Sequence, residues 1–511
     1  GHFLVTETGT PFFWLGDTWW MGLSRRLQWP DEFRWLVEDR VRKGFSVIQI
    51  VAGLYPDQPA FDPRADNEHG YPWREDWGGL RPEYFDAADV RIAALVNAGL
   101  VPCIVGCWGY YLPWLGRERM QRHWRYLVAR WGAYPVVWCL AGEGSMPYYL
   151  SATKEQDKLD LRRGWTDLAR YVKSVDGFRR PVTIHPSNSA RETVDDPCVL
   201  DFDMLQTGHG DRRSLGNTVR RCRTGYQTEP VLPVVNGEVC YEGIGEACRQ
   251  EVQRLMFWAS WLSGATGFTY GANGLWQFNR SDQPYGASPH GMAWGNVPWD
   301  EAARLPGSGQ LGLARRLLTR FAWWRVEPHQ EWVEQPRSDD GLDGPWCAGI
   351  PGELRLLYLP SWFVWAPKAT LRALEPGVSY EAFLWHGVEG SEVPLGQATG
   401  DAEGRWQVPL ERYPLFMDWL LVLVRAPKGI FFGPTCWMKP RSLAISMLPL
   451  NGCRLVGSKA SSMTRLVGRP PRARMFPSVV SKCMLEGTYM PGWTGRLARM
   501  SSAARPWGGG T

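Results

Sequence analysis

Short apolar runs alternate with longer amphipathic stretches along residues 1–326, a rhythm that predicts repeated strand–helix units and a parallel sheet. Eight runs read as strands: Pro11–Thr18, Phe45–Gly53, Leu100–Gly109, Pro135–Glu143, Pro181–Ser187, Asp201–His209, Val231–Tyr241 and Gly267–Trp276. Helical periods fill the gaps at Asp31–Lys43, Phe85–Asn97, Glu118–Tyr134, Lys158–Val175, Gly245–Ser263 and Leu311–Trp324. The first of these opens on Pro30-Asp31-Glu32 and stops at Gly44, a start signal and a stop signal at the appropriate ends. Eight such units predict an α/β fold, a (β/α)8 TIM barrel over residues 1–326. The turn Leu15-Gly16-Asp17-Thr18-Trp19-Trp20 carries no GxGxxG, which weighs against an open nucleotide-binding sheet.

The pattern changes at residue 327. Leu354–Leu359, Ala369–Leu374, Tyr380–Trp385 and Trp419–Val424 read as strands separated by Gly/Pro/Asp turns. Residues 327–425 are therefore expected to form a small antiparallel β-sandwich domain with an accessory packing role. Residues 426–511 are rich in Ser, Arg, Gly, Pro and Met and show little periodicity. Disorder or a non-native reading frame is the expectation there, against the sharper reading of a basic binding tail.

Charge separates the same two regions. The net charge of +5 comes from the tail, where 13 Lys and Arg face one acid, Glu486. Residues 1–425 carry 44 basic and 51 acidic residues, so no nucleic-acid partner is expected. No membrane span is expected either, since no apolar run approaches the length of one. Cys103, Cys139 and Cys240 lie in or beside apolar runs without CxxC spacing, which suits buried thiols. Gly1 opens directly on a folded-looking segment without a signal-like run, and export is not read from it.

Chemistry enters at the ends of the runs. Active sites of such barrels lie at the C-terminal ends of the strands. Polar or aromatic groups stand there nearly every time: Asp17, Trp108, Glu143, His185, Gln206, His209, Glu238 and Tyr270. Two carboxylates, Glu143 after the fourth run and Glu238 in the seventh, form a candidate pair for glycoside hydrolysis. That reaction needs one carboxyl to protonate the leaving oxygen and an ionised one to attack the sugar or activate water. Glu143 is assigned as acid/base and Glu238 as nucleophile. Glu242 is the rival nucleophile, kept as a binding residue. Asp17, beside Trp19, either binds a sugar hydroxyl or caps the next helix. His185 and His209 are expected as hydrogen-bond donors to substrate. Tyr241, Tyr270 and Trp276 are expected to line the pocket. The 30 tryptophans favour a carbohydrate ligand, because indole faces suit sugar rings, though many must be core. No HExxH or close His/Asp spacing supports a metal, and no cofactor is expected.

Four segments carry a resemblance: Phe13-Trp14-Leu15-Gly16-Asp17-Thr18-Trp19, Val137-Trp138-Cys139-Leu140-Ala141-Gly142-Glu143, Asn236-Gly237-Glu238-Val239-Cys240-Tyr241-Glu242 and Gly264-Ala265-Thr266-Gly267-Phe268-Thr269-Tyr270-Gly271. In this order they resemble the apiosidase-like glycoside hydrolases, glycoside hydrolase family 140 and its relatives. Asp418-Trp419-Leu420-Leu421-Val422-Leu423 resembles the end of the C-terminal β-sandwich that members carry. The resemblance implies a retaining, exo-acting glycosidase on plant cell-wall side chains, with apiofuranosides as the characterised substrate. It places Glu143 and Glu238 at the acid and nucleophile positions. Two departures stand out. Glu143 occupies a position where members often carry Asp, and Gly142 one where the wider clan usually has Asn. The competing reading is a non-catalytic carbohydrate-binding protein on a degenerate barrel.

Overall fold

The computed structural model describes residues 1–334, 342–361, 369–409, 417–426 and 501–502. The expectations for the tail beyond residue 426 otherwise lie outside these residues.

Eight parallel strands form the N-terminal region: β1 Trp14–Trp19, β2 Val47–Val51, β3 Val101–Val105, β4 Val137–Cys139, β5 Val182–Thr183, β6 Asp203–Gln206, β7 Val234–Glu238 and β8 Gly267–Tyr270. They follow one another around the sheet in chain order, and β8 pairs with both β7 and β1. The helices between them are α1 Asp31–Lys43, α2 Pro82–Asn97, α3 Arg117–Trp131, α4 Lys154–Val175, α5 Leu215–Gln227, α6 Gln250–Trp261 and α7 Pro306–Leu318. This is the expected (β/α)8 architecture. All eight strands are buried throughout, as a parallel sheet covered by helices requires.

The ladder is open at one place, between β5 and β6. The connection there holds only a one-turn helix, Ala190–Thr193, and a short 3₁₀ turn, Pro197–Val199. Side-chain and loop bonds close the seam instead. Asp201 N–H donates to the Val182 carbonyl at 2.8 Å, and Val182 N–H donates to Asp201 Oδ2 at 2.7 Å. Thr183 Oγ1 donates to the Phe202 carbonyl at 3.0 Å.

Helix α5 has no counterpart among the helical periods read from the sequence. Its buried face is Leu215, Thr218, Val219, Cys222 and Gly225, which has helical spacing but little apolar mass. Helix α7 starts at Pro306 rather than Leu311, with proline in the first turn, where its missing N–H leaves no bond unmade.

The second region is antiparallel. Its strands are β9 Glu327–Pro328, β10 Trp346–Ile350, β11 Leu354–Leu359, β12 Thr370–Leu371, β13 Ser379–His386, β14 Glu392–Thr399, β15 Trp406–Gln407 and β16 Trp419–Arg425. Six form a sheet in the order β9-β10-β11-β16-β13-β14, while β12 pairs with β15. The two sheets share one apolar core that includes Leu357, Leu371, Leu384 and Leu421. Arg254 of α6 ties this region to the barrel. Its guanidinium donates to both oxygens of Asp418, at 2.8 and 2.5 Å, and Tyr358 donates to the same carboxylate at 2.9 Å.

Candidate active site

At the C-terminal ends of the strands a cavity of about 200 Å³ opens, with Glu143 and Glu238 in its wall. Trp20, Asp57, Trp108, Tyr149, Gln206, His209, Tyr241, Trp276, His290 and Trp294 also line it.

Glu143 lies beyond the end of β4, in a turn. Pairing between the strand ends persists as far as a parallel bridge between Trp108 and Gly142. The Trp108 ring lies directly over Gly142, and a Cβ there would come within 2.1 Å of the ring. That contact explains why Gly142 stands where asparagine was expected from the wider clan: no side chain fits beneath the indole. Glu143 itself has a left-handed backbone, φ 42°, which turns its side chain off the strand path. Its N–H faces His185 Nδ1 at 3.5 Å, and the Gly144 N–H donates to the His185 carbonyl at 3.0 Å.

Glu238 is the last residue of β7, only 5% exposed. The ladder between β6 and β7 shifts by one residue between Leu205 and Gln206, so Gln206 stands opposite Glu238 instead of Gly237. Such an irregularity re-aims a side chain. Gln206 Nε2 consequently donates to Glu143 Oε1 at 3.1 Å and to Glu238 Oε1 at 3.2 Å. One amide reaches both carboxylates, so those two oxygens are no farther apart than the two bonds laid end to end. His209 Nε2 lies 2.8 Å from Glu238 Oε1, and His185 Nε2 lies 3.1 Å from Oε2.

These partners split the protonation of the pair. Burial raises the Glu143 carboxyl above the usual carboxylate range, and the negative charge of Glu238 adds to the rise. Burial would raise Glu238 too, but the imidazoles of His209, hydrogen-bonded to it, and of His185 beside its other oxygen hold it well below that range. Burial lowers His209, yet its bond to Glu238 overrides this and leaves it more basic than a free histidine. One carboxyl is thus suited to hold a proton and the other to stay ionised.

The remaining expected residues divide into two groups. Trp108, Gln206, His209, Tyr241 and Trp276 line the cavity, and His185 sits fully buried behind Glu238. Tyr241 accepts the Trp20 indole N–H at 2.9 Å and packs against His209 and Trp276. Asp17, Trp19, Glu242 and Tyr270 do not line it. Asp17 does not face the cavity and caps no helix among the described residues. It is fully buried and accepts bonds from Arg40 Nε of α1 at 2.5 Å, Trp19 Nε1 at 2.7 Å and its neighbour's N–H at 2.9 Å. Glu242 takes the Tyr270 hydroxyl at 2.6 Å and the Gly307 N–H at 3.0 Å, so it sits at the N-terminus of α7. A carboxylate is favourable there because the helix N–H groups are otherwise unpaired.

The residues missed from sequence are Trp20, Asp57, Tyr149, His290 and Trp294. Apart from Trp20, which directly follows β1, they lie on loops after β2, β4 and β8, outside any periodic segment. Among the described residues no cluster of His, Cys, Asp or Glu could hold a metal ion, and no helix is long and apolar enough to cross a membrane.

Comparison with known proteins places this geometry. No curated protein matches the chain. Among solved structures, a glycoside hydrolase family 5 protein from Bacteroides vulgatus is 21% identical, with a TM-score of 0.67 over 83% of this chain and 91% of its own. A second, described as a glycoside hydrolase, is also 21% identical, with a TM-score of 0.66 over 83% of this chain and 97% of its own. At that identity the likeness establishes a shared fold. The family described as "Apiosidase-like, catalytic domain" matches residues 1–325, the barrel with both carboxylates; the chain belongs to this family and is a glycosidase.

Proposed function

We propose that the protein is a retaining, exo-acting glycosidase, with Glu143 as acid/base and Glu238 as nucleophile. The observation that carries this is the single Gln206 amide bonded to both carboxylates at 3.1 and 3.2 Å. These bonds keep one oxygen of each carboxylate close to the other, a spacing that accommodates the roughly 5–5.5 Å between carboxyls of retaining enzymes. In the first step Glu238 attacks the anomeric carbon while Glu143 passes its proton to the leaving oxygen. The sugar is then esterified to Glu238, whose charge is gone. Glu143, relieved of that charge, becomes a stronger acid and so exists as the carboxylate that deprotonates water. Water attacks the ester, the sugar leaves, and both groups return to their starting states.

The size of the cavity supports exo action. A cavity of about 200 Å³ is below the roughly 300–1,000 Å³ of pockets for drug-sized ligands, and suits one terminal sugar. The family points to a plant cell-wall side-chain sugar, apiofuranoside-like or related. Opposite protonation of the two carboxyls favours catalysis over the alternative of a binding protein, which has no need of the split.

Proton NMR of a hydrolysed panel of aryl furanosides and pyranosides tests the proposal. The first product formed should have the anomeric configuration of the substrate. Inversion would exclude Glu238 as a nucleophile and leave it as a base.

A further inference from the structure

A third carboxylate shares the cavity. Asp57 lies on the loop between β2 and α2, is 5% exposed, and lines the cavity beside Tyr149, His290 and Trp294. Its backbone is left-handed, φ 61°, a conformation that persists in non-glycine residues where the surroundings fix it and that clusters at ligand sites. Each of its oxygens is held by one donor. Oδ1 accepts the Tyr149 hydroxyl at 2.8 Å, and Oδ2 accepts the Trp294 indole N–H. The Tyr149 ring is itself stacked on His290, with centroids 4.5 Å apart. A carboxylate offers about four acceptor sites, so each Asp57 oxygen keeps a further lone pair after these bonds.

The rest of the wall complements this acceptor. Trp108 and Trp276 line the cavity, and their buried indole N–H groups have no protein partner. No lysine or arginine is among the lining residues. The wall therefore holds three carboxyl groups and two histidines: His209 is engaged by Glu238, while His290 stacks on Tyr149 beside Asp57, and Arg64 outside the wall also acts on Asp57.

We propose that Asp57 is a specificity-determining residue of this cavity. Its two oxygens accept hydrogen bonds from adjacent hydroxyls of a neutral terminal sugar, and its charge turns away a sugar that carries a carboxylate of its own. The proposal rests on the glycosidase reading of the same cavity. The competing explanation is that Asp57 only latches three loops together.

The test uses the full chain and 4-nitrophenyl glycosides: the best neutral substrate, its single-deoxy analogues and the matching uronide. Asp57→Asn, nearly isosteric, should lose about tenfold to a hundredfold in kcat/KM on the neutral glycoside, as expected when a buried charged acceptor is lost. One deoxy analogue should cost the unsubstituted enzyme a similar factor and cost Asp57→Asn little more. The uronide should be the poorest substrate, and Asp57→Asn should narrow its deficit. A latch alone would lower the melting temperature and weaken all analogues equally, which overturns the proposal. So would a kcat/KM within about twofold of the unsubstituted enzyme. Calorimetric binding of the free neutral sugar and its uronic acid, with and without Asp57→Asn, reads the same preference independently of turnover. If no glycoside is turned over but this preference persists, the reading of the reaction fails while the role of Asp57 stands.

Discussion

Two pairs of acidic residues stand at or near the C-terminal ends of strands in the same barrel, yet their surroundings are opposite. On the side of β1 and β8, Asp17 and Glu242 are enclosed by Arg40, Trp19, Tyr270 and the first turn of α7. On the side of β4 and β7, Glu143 and Glu238 face each other over an open cavity, joined by a glutamine and two histidines. Position at a strand end does not separate the pairs. What separates them is the partner. The Arg40 guanidinium, the Trp19 indole and a backbone N–H use up the oxygens of Asp17, whereas imidazole and amide partners orient Glu238 and leave it facing the cavity.

The strongest way to break this contrast is Glu238→Ala. It should lower kcat/KM on an aryl glycoside about 10⁴-fold or more with the fold intact, and sodium azide should restore part of the turnover by supplying an external nucleophile. Unchanged turnover would make the cavity pair as structural as the other one. Glu143→Gln should cost about 10²–10⁴-fold on substrates with poor leaving groups and far less on good ones. It also sharpens the pH dependence. The proposed mechanism needs Glu143 protonated and Glu238 ionised. The rate should therefore fall on the alkaline side as pH passes the raised value of Glu143, and on the acid side only below the usual carboxylate range. Glu143→Gln should erase the alkaline limb, a result read from kcat/KM against pH.

The other pair should respond in stability. Asp17→Asn leaves the buried Arg40 with Asp39 as its one remaining counter-charge, and about 3 kcal/mol should be lost in denaturant unfolding. The folded fraction should keep its kcat. Glu242→Gln is the smallest step. It weakens the contact with the Gly307 N–H and the Tyr270 hydroxyl, for about 1–3 kcal/mol.

The same contrast explains what was legible in the sequence. Strands β1 to β8 are short, apolar and spaced by helical periods, so their order and the two carboxylates could be read directly. Asp17 and Glu238 look alike in sequence, each ending an apolar run, and only the fold reveals that Arg40, far along the next helix, reaches one of them. Helix α5 was hidden because Thr218, Cys222 and Gly225 fill its buried face against β6 and β7, where bulk is not needed. Asp57 was hidden for another reason. It lies between Pro56 and Gln58-Pro59 in a loop, where no period marks a residue, and its partners Tyr149 and Trp294 come from loops of other units.

The indole of Trp108 over Gly142 also limits what can be substituted there. An asparagine cannot be introduced before Glu143 while that ring is in place, because even its first carbon has no room. The two positions are therefore coupled in packing: any side chain at 142 requires the indole at 108 to move or to be replaced by a smaller group, and reshaping either one alters the cavity wall that Trp108 forms.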